Sequence, residues 1–173
     1  MLPPIRRIQD IKPVEVTLRA QGAAIWDFGQ NFAGWVRLKI KGALAGTVVT
    51  MRFAEALDRQ GRLDTASTGV FATGVEQIDK YTCRGGDTEE WEPHFVYHGF
   101  RYVEVRGLPV GTPADALTGV VVHSDVPRIG SFLCSDPMLN KIHTAALWTE
   151  RSNLHGHATD CPARERCGWL GDA

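Results

Sequence analysis

Three carboxylates, two arginines and a tryptophan fall within thirteen residues near the C-terminal end: Asp160-Cys161-Pro162-Ala163-Arg164-Glu165-Arg166-Cys167-Gly168-Trp169-Leu170-Gly171-Asp172. Groups of these kinds can break a bond between sugars. One carboxylic acid protonates the departing oxygen while a second carboxylate activates water or attacks the anomeric carbon. Further carboxylates and arginines hold hydroxyls through charge-assisted hydrogen bonds, and an indole face offers sugar C–H groups a flat apolar platform. Composition alone favours a solvated, charged loop, so the stretch by itself does not establish an active site.

Two other constellations compete with it. His155-Gly156-His157, followed by Cys161 and Cys167, supplies imidazole and thiolate, the usual zinc ligands. The spacing matches no standard finger and no second Cys-x-x-Cys is present, so no metal and no cofactor is expected. A Cys161–His nucleophilic pair lacks anything in the sequence to orient it. Upstream, Asp27-Phe28-Gly29-Gln30-Asn31 could hold sugar hydroxyls, but a strand-end turn satisfying its own backbone is the expected reading.

The elements that must position the loop are strands. Val14 to Leu18 and Trp35 to Ile40 alternate apolar and polar residues, which puts one face on a core and one in water. Thr47 to Phe53, Gln77 to Cys83, Arg101 to Arg106 and Leu117 to His123 continue the series. Turn formers such as Lys41-Gly42, Arg59-Gln60-Gly61 and Arg84-Gly85-Gly86-Asp87 separate them. The pattern predicts a mainly β fold, an antiparallel β-sandwich of jelly-roll type with at least six strands, over residues 14–123. Val36, Leu38 and Ile40 should share the buried face, opposite Arg37 and Lys39. Trp26, Trp35, Phe53, Phe95, Phe100 and Tyr102 are expected in the core.

Residues 1–13 read as a lead-in and 124–134 as a connector in which Ile129 to Cys134 could form one more strand. From 135 to 173 the grammar turns helical. Ser135 can cap, Pro137 suits the first turn, and Leu139, Ile142, Ala146 and Thr149 fall on one face of a helix ending near Asn153 or Leu154.

At 173 residues the chain suits one domain or one domain and the start of another. A net charge of −1 gives no electrostatic reason to bind nucleic acid or an anionic membrane. The longest apolar runs are far too short to span a bilayer. Four cysteines are too sparse for a disulfide scaffold, and no basic stretch followed by an apolar run opens the chain. A cytoplasmic protein with reduced thiols is the expectation.

The loop Asp160-Cys161-Pro162-x-Arg164-Glu165-Arg166-x-Gly168-Trp169-x-Gly171-Asp172-Ala173 resembles the signature of the bacterial α-L-rhamnosidases, inverting glycoside hydrolases with an (α/α)6 catalytic barrel. The segments Asp27 to Trp35, Arg52-Phe53-Ala54-Glu55, Tyr97 to Glu104 and Val121 to Asp125 are similar to that family's β-sandwich module, and Gly130 to Asn140 to its junction with the barrel. The resemblance implies that the C-terminal helix and loop open a truncated α/α barrel. It implies Glu165 as general acid, with Asp160, Arg164, Trp169 and Asp172 around the rhamnose. Many relatives carry an Asp-Glu pair after the first arginine, whereas here Arg164 leads directly to Glu165, a shorter spacing that also occurs in the family.

The implied partners are a rhamnose-containing glycoside and the rest of the chain's own catalytic domain. The family's general base lies on a later hairpin, so these residues alone are expected to be inactive. The alternative is a non-catalytic carbohydrate-binding or structural sandwich. Trp148, Leu154 and Trp169 would bury against later barrel helices, which predicts a poorly supported tail beyond residue 150 and self-association through it.

Overall fold

The computed structural model describes residues 3–66, 68, 74, 76–169 and 171. Eight antiparallel strands form one curled sheet: β1 (Ile5–Ile11), β2 (Glu15–Leu18), β3 (Ala24–Lys41), β4 (Val48–Ala54), β5 (Ile78–Thr82), β6 (Thr88–Trp91), β7 (His98–Arg106) and β8 (Leu117–Ser124). One α-helix follows, α1 (Pro137–Ser152).

Strand β3 makes the curl possible. Its 18 residues pair with β2 and β7 in the first half, then with β8 and finally with β6. Between Asp27 and Phe32 the register to β7 shifts, at Gly29 with φ +72°. A side chain would be strained in that left-handed conformation. Phe28 and Phe32, on either side of it, both turn inward.

Beyond it the alternation holds. Val36, Leu38 and Ile40 are buried, Lys39 is exposed, and half-buried Arg37 pairs with Asp10 at 2.9 Å. The core closes around Phe28, Phe32, Phe53 and Phe100. Phe28 meets Phe32 and Phe100 edge-on at 6.0 and 5.8 Å, and Phe53 meets Phe100 at 4.9 Å. Each such burial is worth about 1.5–3 kcal/mol, and each favourable ring pair about 0.5–1.5 more. Gly119 makes the room, since a Cβ there would lie 2.7 Å from Phe32 Cζ.

Several expectations need correction. The lead-in carries β1, paired with β8. Its residues are exposed on both sides, so no alternation marks it, and Arg6–Asp125 and Arg7–Glu92 ion pairs tie it down. Strand β6 was hidden by its polar sequence: buried Glu89 accepts bonds from Tyr81 Oη (2.6 Å), Arg84 N (2.9 Å) and Gly85 N (3.1 Å). These bonds, led by Tyr81, hold its carboxyl below the usual range.

Ile129 to Cys134 is not a strand; an irregular segment ends where Cys134 N and O bond the Asn140 side chain. Phe95 is not in the core. It stands fully exposed at φ +61°, because the chain must turn before entering β7. Trp35 and Tyr102 are only half-buried. Asp136 rather than Ser135 caps α1, accepting from Met138 N at 2.7 Å. The stripe of Leu139 and Ile142 faces solvent, while Trp148 packs against the core cluster.

Candidate functional site

Helix α1 ends at Asn153, and the chain doubles back onto the edge of the sandwich. Ser124 N donates to Leu154 O (2.7 Å), and Gly156 N donates to Ser124 Oγ (2.8 Å). His155 is buried, its Nε2 at 3.0 Å from Val122 O and its ring stacked on Tyr97 at 3.9 Å. Burial without a counter-charge pushes the imidazole down to about 4 despite the bond to Val122, so it stays neutral near pH 7. From residue 154 the described part of the tail is therefore docked on its own sandwich rather than unsupported.

The acidic loop is closed at its base. Asp160 N donates to Cys167 O (3.1 Å) and Cys167 N donates to Asp160 Oδ1 (3.0 Å). Thr159, buried, bonds back to Asn153 O through its N–H at 2.8 Å. On top, the Cys161 thiol lies 3.4 Å from Asp160 Oδ2 and 3.2 Å from Glu165 Oε2, with Arg164 Nε 3.5 Å from the same Glu165 oxygen. Asp160, Arg164 and Glu165 are thus brought together, around Cys161.

Burial works to raise the Asp160 carboxyl, but bonds from the Cys161 thiol and the Cys167 and Cys161 N–H groups outweigh it and hold it low. An ionised Asp160 accepts hydrogen bonds and has no proton to give. Glu165 stands beside it, its side chain 42% exposed.

Asp160, Cys161 and Glu165 place ligand atoms within 4.8 Å of one another, the geometry of a cation cluster. His155 is turned away to Val122, so the histidine–cysteine set considered for zinc is not assembled. Trp169 donates its backbone N–H to Ala158 O, and the residue is more than half exposed. Asp172 lies outside the described residues. The Asp27 segment is a bulge within β3 rather than the strand-end turn expected, and its carboxylate takes two bonds from Arg101 (2.8 and 2.7 Å) and one from Gly29 N (2.6 Å).

Three contributors escaped sequence reasoning. Arg166, at φ +54°, points away from Glu165 and lays its guanidinium 5.2 Å over the Tyr97 ring. Gln77 is buried and reaches Arg166 Nη2 at 3.4 Å. Gly99 receives Pro162 against its bare backbone. The Tyr97-His98-Gly99 segment was visible as a motif, but nothing local in it shows that its partner is the loop more than sixty residues later. Tyr97 and His155 also wall a groove of about 1060 Å³ shared with Arg7, Trp35, Glu92 and Phe95.

Residues 17–123 match the family model described as the bacterial alpha-L-rhamnosidase concanavalin-like domain, and residues 127–173 the bacterial alpha-L-rhamnosidase 6 hairpin glycosidase domain. An alpha-L-rhamnosidase of Formosa agariphila is 44% identical over 173 residues, covering 99% of this chain and 18% of the relative. One of Streptomyces avermitilis is 41% identical, covering 98% and 16%. Among solved structures, an alpha-L-rhamnosidase from Dictyoglumus thermophilum superposes with a TM-score of 0.93 at 41% identity, over 100% of this chain and 19% of that one. The Streptomyces avermitilis enzyme in complex with L-rhamnose gives 0.91 at 41%, over 99% and 16%. The chain spans less than a fifth of each of these relatives.

Proposed function

The chain belongs to the bacterial α-L-rhamnosidase family, and on that premise we propose that it supplies the sandwich and the acid loop of an enzyme that removes terminal α-L-rhamnose from rhamnosides with inversion. Glu165 protonates the glycosidic oxygen as the bond to the anomeric carbon breaks. Water attacks that carbon from the opposite face, and a base takes its proton, leaving β-L-rhamnose and the free alcohol. Asp160 accepts bonds from rhamnose hydroxyls and Arg164 donates to them. Trp169 provides an apolar wall, and Asp172 completes the set.

The observation that carries this reading is the meeting of Asp160, Arg164 and Glu165 around Cys161 on one loop, with the Glu165 side chain partly exposed. The reading also requires a separate base. An inverting pair stands about 6.5–9.5 Å apart to admit water, whereas the Asp160 and Glu165 ligand atoms lie within 4.8 Å. Asp160 cannot be the base, so the base comes from the remaining hairpins of the catalytic domain. Those hairpins also cover the exposed Met138, Leu139 and Ile142 face of α1. The 173 residues alone are then inactive.

Proton NMR of the complete enzyme acting on an α-L-rhamnoside tests this. The first sugar released should be the β anomer, and the 173-residue chain should release none. The α anomer appearing first, or turnover by the chain alone, contradicts the proposal.

A further inference from the structure

We propose that the sandwich is the jig of the acid: Gly99 and Tyr97 at the start of β7, with Gln77 and Arg166, are positioning residues that fix the loop carrying Glu165. The inference rests on the reading of Glu165 as general acid.

The seat is built from the sheet outward. Gln77 is buried, and its side-chain amide is pinned at both ends by one residue: Nε2 donates to Gly99 O (2.8 Å), and Oε1 accepts from Gly99 N (2.9 Å). That double bond fixes the amide in one orientation and leaves Oε1 facing Arg166 Nη2 at 3.4 Å. Tyr97 lies between two flat groups, His155 at 3.9 Å on one contact and the Arg166 guanidinium at 5.2 Å on another. A cation over a partly desolvated ring is attracted by the negative face of the ring. Arg166 Nε is buried with no hydrogen-bond partner among the described residues, so the ring and Gln77 are what hold this cation in place.

Between these contacts, Pro162 rests on Gly99. A Cβ at Gly99 would lie 2.7 Å from Pro162 Cγ and 3.2 Å from Ala163 Cβ. The proline ring cannot swing aside as a flexible side chain would, so the loop itself must rise. Glu165 sits between Pro162 and Arg166 in the chain; both of its flanks are therefore anchored to the sheet. A reacting proton displaced by about 1 Å can cost roughly 10²-fold in rate.

The experiment uses the complete enzyme with Gly99→Ala, Arg166→Met and, alongside them, Glu165→Gln, each assayed on a rhamnoside with an alkyl leaving group and on one with a nitrophenyl leaving group. A displaced acid slows only the reaction that needs a proton. The expectation for Gly99→Ala and Arg166→Met is a fall of about 10- to 10²-fold in kcat on the alkyl rhamnoside, less than about threefold on the nitrophenyl one, and little change in KM. If Gly99→Ala does not fold, Arg166→Met decides. Selective loss in Glu165→Gln with equal or no loss in the seat variants overturns the positioning role and leaves the acid assignment standing. No selectivity in Glu165→Gln overturns both.

Discussion

The sandwich and the acid loop obey different rules of stability. In the sandwich, Phe28, Phe32, Phe53 and Phe100 close on one another with almost no exposed surface, and β3 is bonded to four other strands. Losing one contact leaves many. The loop from 154 to 169 is held at a few named points instead: Ser124, Val122, Gly99, Tyr97 and the Asp160–Cys167 closure. Its chemical groups face outward. The sandwich is rigid because it is redundant, and the loop is precise only because the sandwich is rigid. Sites on such supports keep their geometry at little cost in folding energy of their own.

That contrast can be broken from the core side. Phe100→Ala removes the ring shared by three aromatic partners and should cost about 3–5 kcal/mol, read as a fall in urea midpoint with unchanged slope. A cost under about 1 kcal/mol would mean that the core is not the cooperative unit described.

At the seam between the regions, pH is the lever. His155 stays neutral in the fold down to about 4, whereas an unfolded imidazole takes up its proton near 6.5. Its neutral burial therefore favours the fold fully above pH 6.5, and that contribution declines as pH falls toward 4. The size is at most about 3 kcal/mol. His155→Gln keeps a donor for Val122 O, and the variant should lose less stability than the parent between pH 7.5 and 4.5. Parallel pH dependences would remove His155 from the account.

A smaller effect lies on the outer face of the sheet. Arg101→Met strips two bonds from Asp27 and should cost about 1 kcal/mol, given the half-exposed guanidinium. Those bonds, above all the hydrogen bonds to Arg101, hold the Asp27 carboxyl below its ordinary value. The difference between parent and variant should accordingly persist at neutral pH and shrink as pH falls below about 4. Least of all should change at the open face of α1. Ile142→Ala in the 173-residue chain should stay within about 0.5 kcal/mol of the parent, and a larger loss would show that this face is covered.

What was legible in the sequence follows the same division. Period-two alternation marked the strand from Trp35 to Ile40 because one side meets a dry core and the other meets water. Strands β1 and β6 lack that asymmetry: β1 is wet on both sides, and β6 buries a glutamate satisfied by Tyr81 and two N–H groups. Phe95 was misplaced because hydrophobicity says nothing of a left-handed turn. On the loop, Asp160, Arg164 and Glu165 were found by residue type and resemblance, and they do meet. Gln77, Gly99 and Tyr97 were not given a role, since the contacts that confer one span 60 residues or more and leave no periodic trace.

The central claim is that one carboxyl on this loop, Glu165, delivers the proton to the leaving group. In the complete enzyme, Glu165→Gln should lower turnover of an alkyl rhamnoside by roughly 10²–10⁴-fold. A nitrophenyl rhamnoside, whose leaving group needs little protonation, should be affected far less. Equal losses on the two substrates, or full activity on both, would contradict it.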